Sequence, residues 1–329
     1  MTAHLDLSAS QHARIEEIFV EHKRFRAAYR RFDECRASFG YSAEPECMLV
    51  LGPSGVGKST LMRRYLAHNP LQRTGEGLQV PVLSATIPVP ATMKNMATSL
   101  LDRLEDPFAD RGTLLQKTRR LRRLLKECRV ELIILDEFQH FIERDSDRVI
   151  LDVSDWLKNL ISETAVPVVL IGLPHARRVL VANEQLRRRF SHQLHLQPFG
   201  WGDDASREEF RRILEAVDLA LQMERPSGFA EMADRFHAAS RGLIAITMKL
   251  IRAAAHQACR EKAACVERRH LARAFEERVF PDDNRPNPFL DGWDGSVIAP
   301  APMGELPDTA ASIQKPVRRK PRLSDSLHV

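Results

Sequence analysis

The chain has 329 residues, 43% of them hydrophobic, enough to bury one large or two smaller cores, and its formal net charge of +5 from 49 lysines and arginines permits nucleic-acid binding without demanding it. No run approaches the ~20 apolar residues of a membrane span, and the first residues, with Asp6 and two histidines, lack a charged-then-apolar signal segment, so no membrane partner and a cytoplasmic location are expected. Cys35, Cys47, Cys128, Cys259 and Cys265 show neither paired nor metal-ligand spacing and read as reduced core thiols.

Residues 10–39 place Ile15, Ile18, Phe19, Phe25, Tyr29 and Phe32 along one side of an expected helix, a prefix (1–45) packed on the nucleotide domain or on a neighbour. After the break at Gly40–Pro45 comes Cys47-Met48-Leu49-Val50-Leu51, an apolar run that turns into Gly52-Pro53-Ser54-Gly55-Val56-Gly57-Lys58-Ser59-Thr60. Strand, glycine-rich turn and helix start are the context that the G-x-x-x-x-G-K-[ST] phosphate-binding pattern requires. Its backbone N–H groups can surround a phosphate chain, Lys58 can reach the β and γ phosphates, and the Ser59 hydroxyl is placed for Mg²⁺, so ATP and Mg²⁺ are the expected cofactors.

A helix is expected over 58–68, a β-branched strand over 79–87 ending at the Pro88-Val89-Pro90 corner, a helix over 92–104, a polar loop over 105–112 and a basic helix over 113–128. Leu132-Ile133-Ile134-Leu135 then runs into Asp136-Glu137, putting two carboxylates at the carboxyl end of a central strand of a parallel sheet. This is a Walker B element: Asp136 is expected to hold Mg²⁺ through its water shell, and Glu137 to orient and deprotonate the attacking water.

A helix over 147–163 leads to the buried strand 166–171, which ends at Gly172-Leu173-Pro174. Arg187, Arg188 and Arg189 precede the alternating run 191–196, where an arginine finger would project into a neighbouring subunit's nucleotide site. Arg189 or Arg188 is the candidate, against a plain surface cluster. These elements make a nucleotide-binding core over 46–200. Beyond Gly202 the patterns are helical only, at about 203–221, 227–239, 242–260 and 267–278, a helical lid over 201–280. Residues 281–329, with eight prolines and the cluster Lys315-Pro316-Val317-Arg318-Arg319-Lys320-Pro321-Arg322, read as a disordered basic tail, an interaction peptide or a solvated end.

Taken together, this order resembles an AAA+ ATPase, an α/β P-loop fold with a parallel sheet flanked by helices and a C-terminal lid. More narrowly, the helical prefix before Met48–Ser59, the run Leu132–Phe141, Gly172-Leu173-Pro174 and Gln185–Phe190 resemble the TniB/TnsC transposition regulators, over about residues 10–280. Related ATPases carry Asn, Thr or Ser as a γ-phosphate sensor at the end of the strand that here ends in Gly172. Its absence leaves the glycine backbone, Gln139 or His140 to supply the contact, or sensing is weak. Arg241 stands near the place of a second sensor in the lid.

The resemblance implies ATP-bound subunits assembling head to tail on double-stranded DNA, as a ring or filament, and engaging a DDE-type transposase. It maps DNA contacts onto the region of Lys94 and onto 111–123, with Lys117, Thr118, Arg119 and Arg120 as phosphate partners, unless these are a solvated helix face. With no aromatic interleaving, sequence-independent backbone contacts are expected. Two other readings fit the same residues: a signalling ATPase that acts on proteins without DNA, and a nucleotide-gated scaffold with little turnover.

Overall fold

Three apolar runs, each buried at every position, build the centre of the molecule. They are β1 (Met48–Leu51), β5 (Leu132–Asp136) and β6 (Val168–Gly172). With β4 (Val82–Thr86) and β7 (His192–His195) they form a parallel five-stranded sheet in the order β4-β5-β6-β1-β7. Continuous burial is what a strand covered on both faces demands, and the period of two then divides each run between two cores. Leu49, Leu51, Ile133, Leu135, Val168 and Leu170 face one way. Met48, Val50, Leu132, Ile134, Val169 and Ile171 face the other. The computed structural model describes residues 13–41, 44–75, 77–143, 147–181, 183–278 and 286–295.

On the first face lie α3 (Met93–Arg103), α4 (Leu114–Glu127) and α5 (Asp147–Thr164). The second is covered by α1 (Lys23–Ala37), through Phe25, Ala28, Phe32 and Cys35, and by α2 (Lys58–His68), through Leu61, Met62 and Tyr65. The prefix is therefore part of the sheet's core, and its expected single helix is broken. Residues 13–17 form a separate short helical stretch, residues 18–22 are irregular, and Ile15 and Ile18 pack into the lid instead. The sheet registers pair Thr86 with Asp136, and Leu51 with both Gly172 and His195, so the carboxyl ends of all five strands reach one edge.

Between α2 and β4 runs a two-stranded hairpin, β2 (Gln72–Thr74) with β3 (Gly77–Gln79), which the sequence reading left unassigned apart from Gln79 at the start of the expected strand. Its side chains are mostly exposed and polar, so it carries no hydrophobic period to read. Two short helices, α6 (Arg178–Val181) and α7 (Glu184–Arg189), connect β6 to β7.

The lid comprises α8 (Asp204–Leu221), α9 (Ala233–Ser240), α10 (Ile244–Arg260) and α11 (Arg268–Arg278) around its own core. The Asp218 carboxylate, 8% exposed, accepts from the N–H groups of Ser227 and Gly228 at 2.8–3.0 Å. These charge-assisted bonds hold residues 227–229 as a turn, which is why α9 begins later than periodicity suggests. The expected tail boundary at 281 also moves. Phe289 is 1% exposed and packs its ring 5.3 Å from that of Phe236, while Asn287 donates to the Ala272 carbonyl at 2.8 Å. Residues 286–295 thus dock on the lid, because one aromatic anchor outweighs a composition rich in Pro, Gly and Asp. The basic cluster 315–322 lies outside the described residues. Among the described residues, no helix is long and apolar enough to cross a membrane.

Candidate nucleotide site

At the sheet's carboxyl edge, residues 52–57 turn from β1 into α2. Gly57 caps the helix at φ 99°, a left-handed conformation that a side chain would strain, and so the helix N-terminus can open directly onto the loop. Lys58 is 7% exposed and folds back over the turn, its Nζ donating to the carbonyls of Gly52 at 2.7 Å and Pro53 at 2.9 Å. Burial lowers its pKa, opposed by the nearby charges of Glu137 and Asp136. Ser59 and Thr60 lie in the first turn of α2.

Asp136 ends β5 and is 2% exposed. Burial raises its pKa, while hydrogen bonds from the Ser59 hydroxyl and from the Glu137 N–H, at 2.9 Å, pull it back. The Ser59 hydroxyl and the Asp136 carboxylate, a hard oxygen pair brought together from two elements, fit the protein side of a Mg²⁺ site completed by phosphate and water oxygens. Glu137 stands just beyond the strand at φ 57°, uncommon for a side chain other than Gly, Asn or Asp, and starts the 3₁₀ turn Phe138–Phe141.

Of the groups that could replace the missing sensor, Gln139 is the one built into the strand edge. It is 3% exposed, its Nε2 donates to the Glu137 carboxylate, and its Oε1 accepts from the Leu173 N–H at 3.1 Å. His140 turns away to Glu143, at 2.9 Å from its Nδ1.

Beside the turn lies a cavity of about 260 Å³, lined by Ile18, Phe19, Val20 and His22 of the prefix, Gly57 and Thr60, and Ile213, Val217, Ile244 and Met248 of the lid. Sequence reading did not find this slot, because its walls come from four separated segments whose apolar residues look like ordinary core. The lid fastens the prefix across it. Arg252 donates to the carbonyls of Ile15 and Ile18 at 3.3 Å, and His256 meets Glu16 at 2.9 Å. Lid and loop also touch directly, the Ala245 N–H donating to the Gly55 carbonyl at 3.0 Å. Arg241 sits exposed on the left-handed cap of α9, and the lid residues packed against the loop are Leu243, Ile244 and Ala245.

His22, between Phe25 and Phe199, has its pKa lowered to about 4, chiefly by burial and further by Arg24 and Arg26, against an upward pull from Glu209. The unfolded chain therefore binds a proton between pH 6.5 and about 4 that the folded one refuses. This contribution to stability is complete above 6.5 and lost as pH falls, to a limit of about 3 kcal/mol. We expect His22→Phe to flatten the fall of melting temperature over that window. Parallel curves for variant and wild type would rule this source out.

The finger candidates lie at the other end of the sheet. The Arg189 carbonyl accepts from the Cys47 N–H at 2.9 Å, just before β1, so the backbone at Arg189 lies about 16 Å, the length of the strand, from the start of the chain's own loop. Arg188 is exposed and pairs with Glu184 at 2.8 Å, while the largely buried Arg189 lies 3.9 Å from Glu44.

The expected DNA face needs correction. Lys117 is fully buried, donating to Thr98 Oγ1 at 2.8 Å and to the Ala109 carbonyl, with its pKa lowered by burial. Thr118 is also buried, its hydroxyl donating to the Leu114 carbonyl and accepting from Trp156 Nε1 at 3.1 Å. Both fall on the stripe of Leu121 and Leu125, a helical period that was there to be read. Arg120 pairs with Asp106 at 2.9 Å and donates to the Phe108 and Arg111 carbonyls, holding the 105–112 loop. Lys94 and Arg119 are exposed.

The sheet order, phosphate loop, Walker B carboxylates and lid define a P-loop NTPase fold of the AAA+ type. The chain is similar to the ORC2 protein of Aeropyrum pernix, solved as ADPNP-ADP complexes (TM-score 0.59, 16% identity, covering 79% of this chain and 68% of that one). It is also similar to Cdc6p of Pyrobaculum aerophilum (0.56, 13%, 82% and 71%) and to A. pernix ORC1 in complex with DNA (0.53, 18%, 78% and 66%). At these identities the likeness shows the fold. The family model described as Bacterial TniB protein matches residues 12–200, more than half the chain, and the protein belongs to the TniB family. No curated protein matches it in sequence.

Proposed function

We propose that this protein is an ATPase whose ATP-bound subunits assemble on double-stranded DNA, without reading its sequence, and recruit or activate a DDE-type transposase. The observation that carries it is the convergence of Lys58, Ser59, Asp136 and Glu137 on one sheet edge, in a chain of the TniB family. In the reaction a water oxygen attacks the γ phosphorus, its proton passes to the Glu137 carboxylate, and the β–γ bridging oxygen leaves with ADP. Mg²⁺, when bound with the nucleotide through Ser59 and Asp136, neutralises phosphate charge. The slot beside the loop, with Ile18, Phe19, Val217, Ile244 and Met248 among its walls, takes the base. Since the backbone at Arg189 stands a strand length from the chain's own loop, an arginine from α7 acts on a neighbour's nucleotide, which ties turnover to assembly.

The similar ORC1 structure is a DNA complex, which supports a DNA-directed role. Fluorescence anisotropy with labelled duplex, in ATP, ADP or no nucleotide across a salt series, tests the reading. Binding is expected with ATP, indifferent to sequence and weakened steeply by salt through counterion release. Neutralising Lys94 and Arg119 together is expected to reduce the salt slope by about 2 and to leave ATP affinity within about twofold. Failure to bind with ATP at low salt would replace this reading by the protein-directed signalling ATPase, and DNA binding without measurable turnover by the nucleotide-gated scaffold.

A further inference from the structure

The end of β6 offers no side chain to the site, yet the space there is filled. A Cβ at Gly172 would come within 3.0 Å of both Gln139 Oε1 and the Ala176 Cβ, so the strand ends in glycine where the Gln139 amide is lodged. From that position Gln139 reaches two ways, donating to the Glu137 carboxylate and accepting from the Leu173 N–H. An amide has both a donor and an acceptor end, and at 3% exposure it has little freedom to rotate away. Glu137 needs such restraint. Its backbone is in the left-handed region immediately after the strand, and its side chain is only partly buried.

We propose that Gln139 is the positioning residue for Glu137, a two-ended amide latch that aims the carboxylate at the attacking water and ties that aim to the end of β6. The inference rests on the reading of Glu137 as the base. It also accounts for Gly172 at the end of β6, since the space beside it is taken by a polar group delivered from the 3₁₀ turn after β5. Any shift of the β6 edge toward or away from the γ phosphate is then transmitted through the Leu173 N–H to the carboxylate.

The two ends of the latch can be cut separately. Gln139→Glu keeps an acceptor for the Leu173 N–H but replaces the donor to Glu137 with a second carboxylate, whereas Gln139→Leu removes both ends. Single-turnover hydrolysis, ATP affinity and amide exchange at Leu173 in the nucleotide-free protein are measured on the full chain. Gln139→Glu is expected to hydrolyse about 10- to 100-fold more slowly, with ATP affinity within about twofold and Leu173 still protected. Gln139→Leu is expected to show the same loss together with faster exchange. If Gln139→Leu does not fold, Gly172→Ala, which crowds the latch from the other side, is expected to slow hydrolysis with ATP affinity kept. A Gln139→Glu variant that turns over at the wild-type rate overturns the proposal while leaving Glu137 as the base. Wild-type turnover by Glu137→Gln would instead remove the reading on which it rests.

Discussion

Glu137→Gln is expected to bind ATP as tightly as the wild type and to lose at least 100-fold in turnover. Proton acceptance by a positioned carboxylate contributes about 10²- to 10⁴-fold, and an amide cannot take the proton. The geometry survives the change. A glutamine at this position still presents an oxygen to the Gln139 Nε2 donor, and the Glu137 N–H that meets Asp136 belongs to the backbone. Loss of kcat at constant affinity is the signature of an interaction made only in the transition state. A single-turnover time course beside an equilibrium binding curve separates the two quantities. A variant that hydrolyses ATP at even a tenth of the wild-type rate would hand the proton to some other group.

The candidate nucleotide site was legible in the sequence because its parts are contiguous. The glycines and Lys58-Ser59 lie within one turn, and Asp136-Glu137 comes directly after a run that must be a buried strand, since four consecutive apolar residues in a polar neighbourhood fit few other places. Parallel sheets place such strand ends on one edge, so two separated motifs could be joined without a structure. Residues whose role depends on distant chain were harder. The slot beside the turn draws its walls from within 18–25, 57–63, 213–217 and 244–252, and no local pattern distinguishes them from core.

On α4, positive charge was read as exposure, yet Lys117 lies on the buried side and spends its ammonium on Thr98 Oγ1 and the Ala109 carbonyl. Period, rather than residue type, was the better guide there. The tail shows the reverse error. Composition averaged over 281–329 hid Phe289, whose burial against Phe236 fixes residues 286–295 to the lid.

Lys58→Ala is expected to weaken ATP binding at least 100-fold, equivalent to about 3 kcal/mol. Lys58 is the cation at the end of the turn, 7% exposed, and charge-assisted hydrogen bonds to phosphate oxygens at a site this buried would carry the larger share of such affinity. The competing explanation, that the variant fails to fold, is answered by the state of Lys58 in the free protein. In the free protein its Nζ donates to the loop carbonyls of Gly52 and Pro53, contacts within the turn itself that tie it to no other element. Its removal therefore costs the ligand-free fold little. The expected pattern in thermal denaturation is a melting temperature close to that of the wild type without nucleotide. The stabilisation that ATP gives the wild type, about 2.7 kcal/mol at a hundredfold excess over Kd, is expected to fall to about 0.4 kcal/mol or less in the variant at the same ATP concentration. An undiminished stabilisation would mean that the phosphates are held without Lys58 and that the turn binds them through its backbone alone.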